Sequence, residues 1–119
     1  MECSRIVPVL RMFDLDKTRE FYLDFLGGEL LGEPPFEPSM PLYLFVSLGG
    51  CELHLSEHFG DGMPGANLRI ETAGVQAFQQ ALLAKAYRHA RPGLEKPPWG
   101  GLEMTVQDPA GNRLTFYER

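Results

Sequence analysis

The feature that most narrows what this chain can fold into is a pattern that occurs twice. An extended apolar segment, Arg5 to Met12, leads past Asp14, a residue type that caps helices, into an amphipathic run. Leu15, Thr18, Phe21, Tyr22, Phe25 and Leu26 recur there at helical spacing until Gly27-Gly28 ends it. In the second half, Asn67 to Thr72 alternates as a strand does, and Val75, Phe78, Leu82 and Ala86 restore the helical spacing. An offset of 60 residues lays Leu15, Thr18, Tyr22 and Leu26 on those four positions. Strand-like segments follow each helix. In the first half they are Glu29 to Gly32, Leu42 to Leu48 and Cys51 to Glu57, with Pro34, Pro35, Pro38 and Pro41 in a loop and Gly49-Gly50 turning a hairpin. In the second half, a Pro- and Gly-rich loop over 92–101 precedes Leu102 to Val106, the turn Asp108-Pro109-Ala110-Gly111-Asn112, and Arg113 to Glu118. The reading is one α+β domain over 1–119, built of two βαβββ modules at about 5–58 and 66–118, with the mixed sheet curled into a cleft.

Charge narrows the partners. Lys and Arg total 11 against 16 Asp and Glu, a formal net charge of −5. A nucleic-acid binder needs a basic stripe to replace phosphate counterions, so no nucleic-acid partner is expected. The negative field favours a cationic solute instead. The two cysteines, Cys3 and Cys51, form no metal-binding or redox pair and read as reduced thiols. The first apolar stretch is too short and too polar for a secretion signal, and no run approaches a membrane span. A cytoplasmic protein without membrane contact is expected.

Strand parity separates two faces. Cys51, Leu53 and Leu55 form an apolar side suited to a helix, which puts Cys51 in the core, and leave Glu52, His54 and Ser56 opposite. Leu102, Met104 and Val106 likewise oppose Glu103 and Thr105. Leu114 and Phe116 oppose Arg113, Thr115 and Tyr117, and Leu68 and Ile70 oppose Asn67, Arg69 and Glu71. On a flat sheet the polar side would simply meet water. On a curled one it lines a ligand site. His54 is then a hydrogen-bonding contact, with the alternative that Glu52 or a backbone carbonyl satisfies it. Tyr43 and Phe45 share a face that could floor the cleft or serve hairpin packing, and Glu52 and Glu103 are placed to attract a cation. Trp99, in a Pro/Gly loop without apolar periodicity, reads as a ligand-stacking ring.

Asp14-Leu15 followed by Phe21-Tyr22 after a strand resembles the first-module signature of the glyoxalase/bleomycin-resistance/dioxygenase superfamily (vicinal oxygen chelate fold). Trp99-Gly100-Gly101 ahead of a strand, then Asp108-Pro109-x-Gly111-Asn112-x-Leu114, resembles its second-module ending. The resemblance spans 6–118 and implies the fold. It also implies four strand positions where the family's enzymes hold a metal, here Val7, His54, Asn67 and Thr115. Val7 has no donor, Thr115 and Asn67 are weak ones, and the enzymes carry Glu where this chain has Thr115. No metal and no cofactor are therefore expected, and the chain is similar to the bleomycin-resistance branch. That likeness implies a non-catalytic homodimer with N-terminal arms exchanged near Val7-Pro8, and a ligand of bleomycin type or another cationic aromatic antibiotic. Its ligand contacts would be Tyr43, Phe45, Glu52, His54, Asn67, Trp99, Glu103 and Thr115. The alternative is a metal-dependent lyase or dioxygenase that uses His54 in a non-standard ligand set.

Overall fold

Asp14 opens the first helix, as its residue type predicts. Its Oδ1 accepts the Lys17 amide at 3.0 Å, and the Thr18 hydroxyl donates to the Asp14 carbonyl at 2.6 Å. The structure, a computed structural model, describes residues 1–32 and 42–119, so the loop expected around Pro34, Pro35, Pro38 and Pro41 lies outside the described residues. Helix α1 (Leu15–Arg19) continues as a π-helix over Glu20–Phe25, where the sequence predicts one uninterrupted α-helix. The Leu26 amide reaches back five residues to the Phe21 carbonyl at 2.9 Å, which marks the wider turn. Phe21, Tyr22 and Phe25 are all buried along this stretch, with Phe21 edge-on to Tyr22 at 5.0 Å between ring centroids.

The chain divides into two compact units, Met1–Pro64 and Gly65–Arg119. In the first, strands β1 (Val9–Arg11), β2 (Glu29–Gly32), β3 (Tyr43–Leu48) and β4 (Cys51–Ser56) form a sheet in the order β1-β4-β3-β2. Strand β1 runs parallel to β4, and the other pairings are antiparallel. In the second, β5 (Asn67–Glu71), α2 (Val75–Ala84), β6 (Leu102–Gln107) and β7 (Arg113–Glu118) follow the same wiring. The sheet order is β5-β7-β6, with β5 parallel to β7 and β6 antiparallel to it. Each unit thus pairs its first strand with its last, and the fold is α+β with two mixed sheets in βαβββ-like modules. One strand of the second module is reduced. Glu95 and Glu103 exchange a pair of backbone hydrogen bonds of 2.8 and 2.9 Å as a single bridge, among prolines that leave few amides to pair.

Three local expectations change. The predicted strand from Arg5 is cut to Val9–Arg11, because Pro8 has no amide to give the ladder. The Pro8 carbonyl still accepts the His54 amide at 2.9 Å, and pairing begins there. Cys51, expected in the core, is exposed. It follows the Gly49-Gly50 turn at the tip of β4, where strand parity no longer implies cover. Beyond Ala84 the predicted helix ends, and Ala86 takes a left-handed φ of 52°.

The apolar faces are buried as parity predicts, while Ser56 and Thr115, expected on the polar faces, are buried as well. Leu10, Leu44, Val46, Leu48, Leu53 and Leu55 are buried in the first sheet, and Met104, Val106, Leu114 and Phe116 in the second. Phe78 of α2 meets Phe116 edge-on at 5.1 Å. The turn before β7 is locked by two buried polar side chains. Asp108 accepts the Ala110 and Asn112 amides at 2.9 and 2.8 Å and the Asn112 side-chain amide at 2.9 Å. Asn112 Oδ1 in turn accepts the Ala66 amide at 3.1 Å, pinning the entry to β5. Helix α2 starts at Gly74, which has no side chain to cap it, and the Glu118 carboxylate accepts the Gly74 and Val75 amides at 3.3 and 3.2 Å instead. Among the described residues no helix is long and apolar enough to cross a membrane.

Candidate functional site

Antiparallel register places Phe45 opposite His54 and Ser47 opposite Glu52, so β3 and β4 raise one cluster on the face away from Leu53 and Leu55. His54 Nδ1 lies 2.8 Å from the Tyr43 hydroxyl, and His54 Nε2 lies 2.7 Å from Glu52 Oε2. The Phe45 ring sits 4.5 Å from the imidazole and 5.3 Å from the Tyr43 ring, centroid to centroid. Arg5 approaches the other Glu52 oxygen at 3.3 Å. The hydrogen bond from His54, helped by the Arg5 charge, holds the Glu52 carboxyl below the usual carboxylate range. Burial, with a contribution from the Asp61 charge, pushes the Tyr43 phenol up.

In the second module the corresponding face carries a different set. Arg69 Nη2 donates to Glu103 Oε2 at 2.7 Å, and its guanidinium lies 4.6 Å from the centre of the Tyr117 ring. That bond depresses the Glu103 carboxyl and raises the Arg69 guanidinium. Trp99, 74% exposed, stands in the loop before β6. A pocket of about 430 Å³ is lined by Arg69, Trp99, Gly101, Glu103, Tyr117 and Glu118. Gly101 is required here, since its φ is +80° and a Cβ would strike the Glu118 carbonyl oxygen. Thr115 is buried, its hydroxyl 2.9 Å from that of Thr105, while Asn67 is exposed at the start of β5.

The residues singled out from the sequence therefore fall into two groups. Tyr43, Phe45, Glu52 and His54 form one connected cluster in the first module. Trp99 and Glu103 share a pocket in the second, and Thr115, bonded to Thr105, and Asn67 do not line it. Both carboxylates expected to attract a cation are already paired within their own modules, Glu52 with Arg5 and His54, Glu103 with Arg69. Arg69 and Tyr117 were not selected from the sequence, although their parity put them on the right face. Arg5, read as the start of the first strand, was not singled out for the site, and in the structure it precedes β1.

A metal fits these residues poorly. Val7 offers no donor, the Thr115 hydroxyl is bonded to Thr105, and both ring nitrogens of His54 have protein partners. Among the described residues no three His, Cys, Asp or Glu side chains converge as a ligand set.

The profile of glyoxalase superfamily proteins matches residues 1–119, the whole chain. The chain belongs to the glyoxalase superfamily. Several solved structures share its fold at low identity. The antibiotic-binding protein TnmS3 from Streptomyces sp. CB03234 is similar with a TM-score of 0.75 and 21% identity, over 99% of this chain and 98% of that one. A bleomycin-binding protein complexed with bleomycin gives 0.70 and 19%, over 98% and 99%. A lactoylglutathione lyase from Agrobacterium tumefaciens gives 0.71 and 22%, over 98% and 95%. No curated protein sequence matches the chain.

Proposed function

We propose that this glyoxalase superfamily protein binds a flat, cationic, aromatic small molecule of the antibiotic type, bleomycin-like in chemistry, and makes or breaks no bond in it. The observation that carries the reading is the exposed Trp99 indole beside the pocket bounded by Arg69 and Tyr117. An aromatic ring held in water at a pocket mouth is a stacking surface looking for a partner. Tyr43 and Phe45, backed by His54, offer a second aromatic surface with a polar tip. Net charge supports a cationic ligand, and the metal-position residues supply neither Lewis acid nor activated nucleophile. Relatives that bind antibiotics, TnmS3 and the bleomycin-binding protein, lend the chemical class. In this reading residues 1–119 act as one domain in a cytoplasmic homodimer, with arms exchanged at Val7-Pro8 and each ligand cleft shared between chains. Asn67 and Thr115 border the ligand, and Glu52 and Glu103 shape it through their ion pairs.

The test is a calorimetric titration of chelator-treated protein with metal-free bleomycin, followed in parallel by the emission of Trp99, the single tryptophan of the chain. Saturation at about one drug per chain with a dissociation constant near 1 µM, about −8 kcal/mol, supports the reading. Replacing Trp99 by Ala should weaken that binding by about 1 kcal/mol or more. No heat at two temperatures, together with a divalent metal retained in stoichiometric amount after purification, would favour a superfamily enzyme using His54.

A further inference from the structure

In the first module the hydrogen-bond polarity of the site is set by a chain of three side chains. A carboxylate only accepts, so the 2.7 Å contact between Glu52 Oε2 and His54 Nε2 puts the imidazole proton on Nε2. In the neutral ring Nδ1 is then an acceptor, and the 2.8 Å contact with Tyr43 requires the phenol to donate to it. The Tyr43 proton points into the protein, and only the lone pairs of its oxygen are left for anything that settles on the face. Donation to an imidazole that is itself backed by a carboxylate strengthens the phenol oxygen as an acceptor. The hydrogen bond from His54, with a smaller contribution from Arg5 on the far oxygen, favours the ionised form of Glu52 and so fixes the order of the chain. Phe45, packed against both the Tyr43 and His54 rings, supplies a flat apolar wall beside the oxygen.

We propose that Tyr43 Oη is the ligand-facing polar atom of this module and that it acts only as an acceptor, so that the site selects an aromatic ligand presenting an ammonium or N–H donor, while Glu52 and His54 are positioning residues that never touch the ligand. This rests on the small-molecule-binding reading above and sharpens it. A ligand presenting a carboxylate or carbonyl meets lone pair against lone pair at Tyr43 and is rejected.

Two measurements test it. The first needs no ligand and no variant. Nitrogen-15 NMR of the histidine rings, recorded at about pH 8, reads the tautomer directly. The Nε2–H form of His54 is expected, and an Nδ1–H form or a doubly protonated ring overturns the proposal. The second compares two probes with the same ring system and opposite polarity, 1-naphthylmethylammonium and 1-naphthylacetate, titrated into the whole chain and followed by amide shifts. The ammonium should bind about tenfold more tightly or better, and Tyr43→Phe, which keeps the net charge, should erase the difference. An unchanged amide spectrum away from the site confirms that Tyr43→Phe folds, and His54→Gln serves as a second variant expected to weaken the preference. Equal binding of the two probes, or a preference that survives Tyr43→Phe, overturns the assignment and leaves the small-molecule reading intact. Failure of both probes, with bleomycin also failing to bind, overturns both.

Discussion

Replacing Asn112 by Ala should be among the most damaging single changes in the second module. Its side chain is fully buried, and it does two things at once. It donates to Asp108 at 2.9 Å and accepts from the Ala66 amide at 3.1 Å. Loss of a hydrogen bond to an ionised acceptor costs about 1.5–3 kcal/mol, and stranding the Ala66 N–H adds about 1 kcal/mol or more. The expected loss is about 3 kcal/mol, a large part of the roughly 5–15 kcal/mol that holds a domain together. For a chain of this length that is roughly 12 °C in melting temperature. Urea unfolding followed by circular dichroism measures it, with the midpoint falling and the slope unchanged. Asn112→Asp sharpens the test, because it keeps the acceptor for Ala66 but sets a second carboxyl against Asp108. That variant should be no more stable than Asn112→Ala at neutral pH, because it replaces a donor to Asp108 by a like-charged acceptor. A loss below about 1 kcal/mol for Asn112→Ala would refute the reasoning, since surface substitutions alone reach about half that.

Further outcomes follow from other sites. Glu52 and Glu103 both have carboxyls held below the ordinary range, so their contribution to stability is complete above the unfolded carboxyl pKa of about 4.3 and disappears as acid takes pH through the lowered folded values. Glu52→Gln should flatten the acid limb of stability against pH, and an unchanged limb would contradict the His54 contact. The Tyr43 phenol is pushed up, so its share of stability is present below a pH of about 10 and falls away above it, which Tyr43→Phe should remove. Cys51 and Cys3 are both exposed, and an aromatic disulfide reagent should titrate both thiols of the native chain rapidly. Ala86→Gly should stabilise by about 0.5 kcal/mol in thermal unfolding, because glycine relieves the left-handed strain by more than it adds to the unfolded entropy.

Most of the framework was legible because it rests on period and punctuation. Asp14 caps, Gly27 stops, and strand alternation separates Leu53 and Leu55 from Glu52 and His54. The widened turn over Glu20–Phe25 was not legible, since its apolar spacing also satisfies an ordinary helix. Cys51 followed the right parity at a strand tip where parity has no consequence. For the candidate site, strand parity brought Tyr43, Phe45 and His54 to one face, and the structure joins them in one cluster. The ion pairs that occupy Glu52 and Glu103 depended on partners invisible to local pattern. Arg69 sits two strands away from Glu103 across β7, and Arg5, ahead of β1, reaches Glu52 on β4.

The pairing of each module's first strand with its last sets an order for making the protein. The β1–β4 ladder can close once Ser56 has left the ribosome, before the last strand of the second module has been made. The β5–β7 ladder waits for residues 113–118, and α2 waits with it, because the carboxylate that caps its first turn belongs to Glu118. Long-range closure of this kind is slow relative to helix formation. During synthesis the amino-terminal half can therefore mature while its counterpart still lacks β7, the strand that both β5 and β6 pair with, and the cap on its helix. That interval is when the second module is most exposed to misassembly.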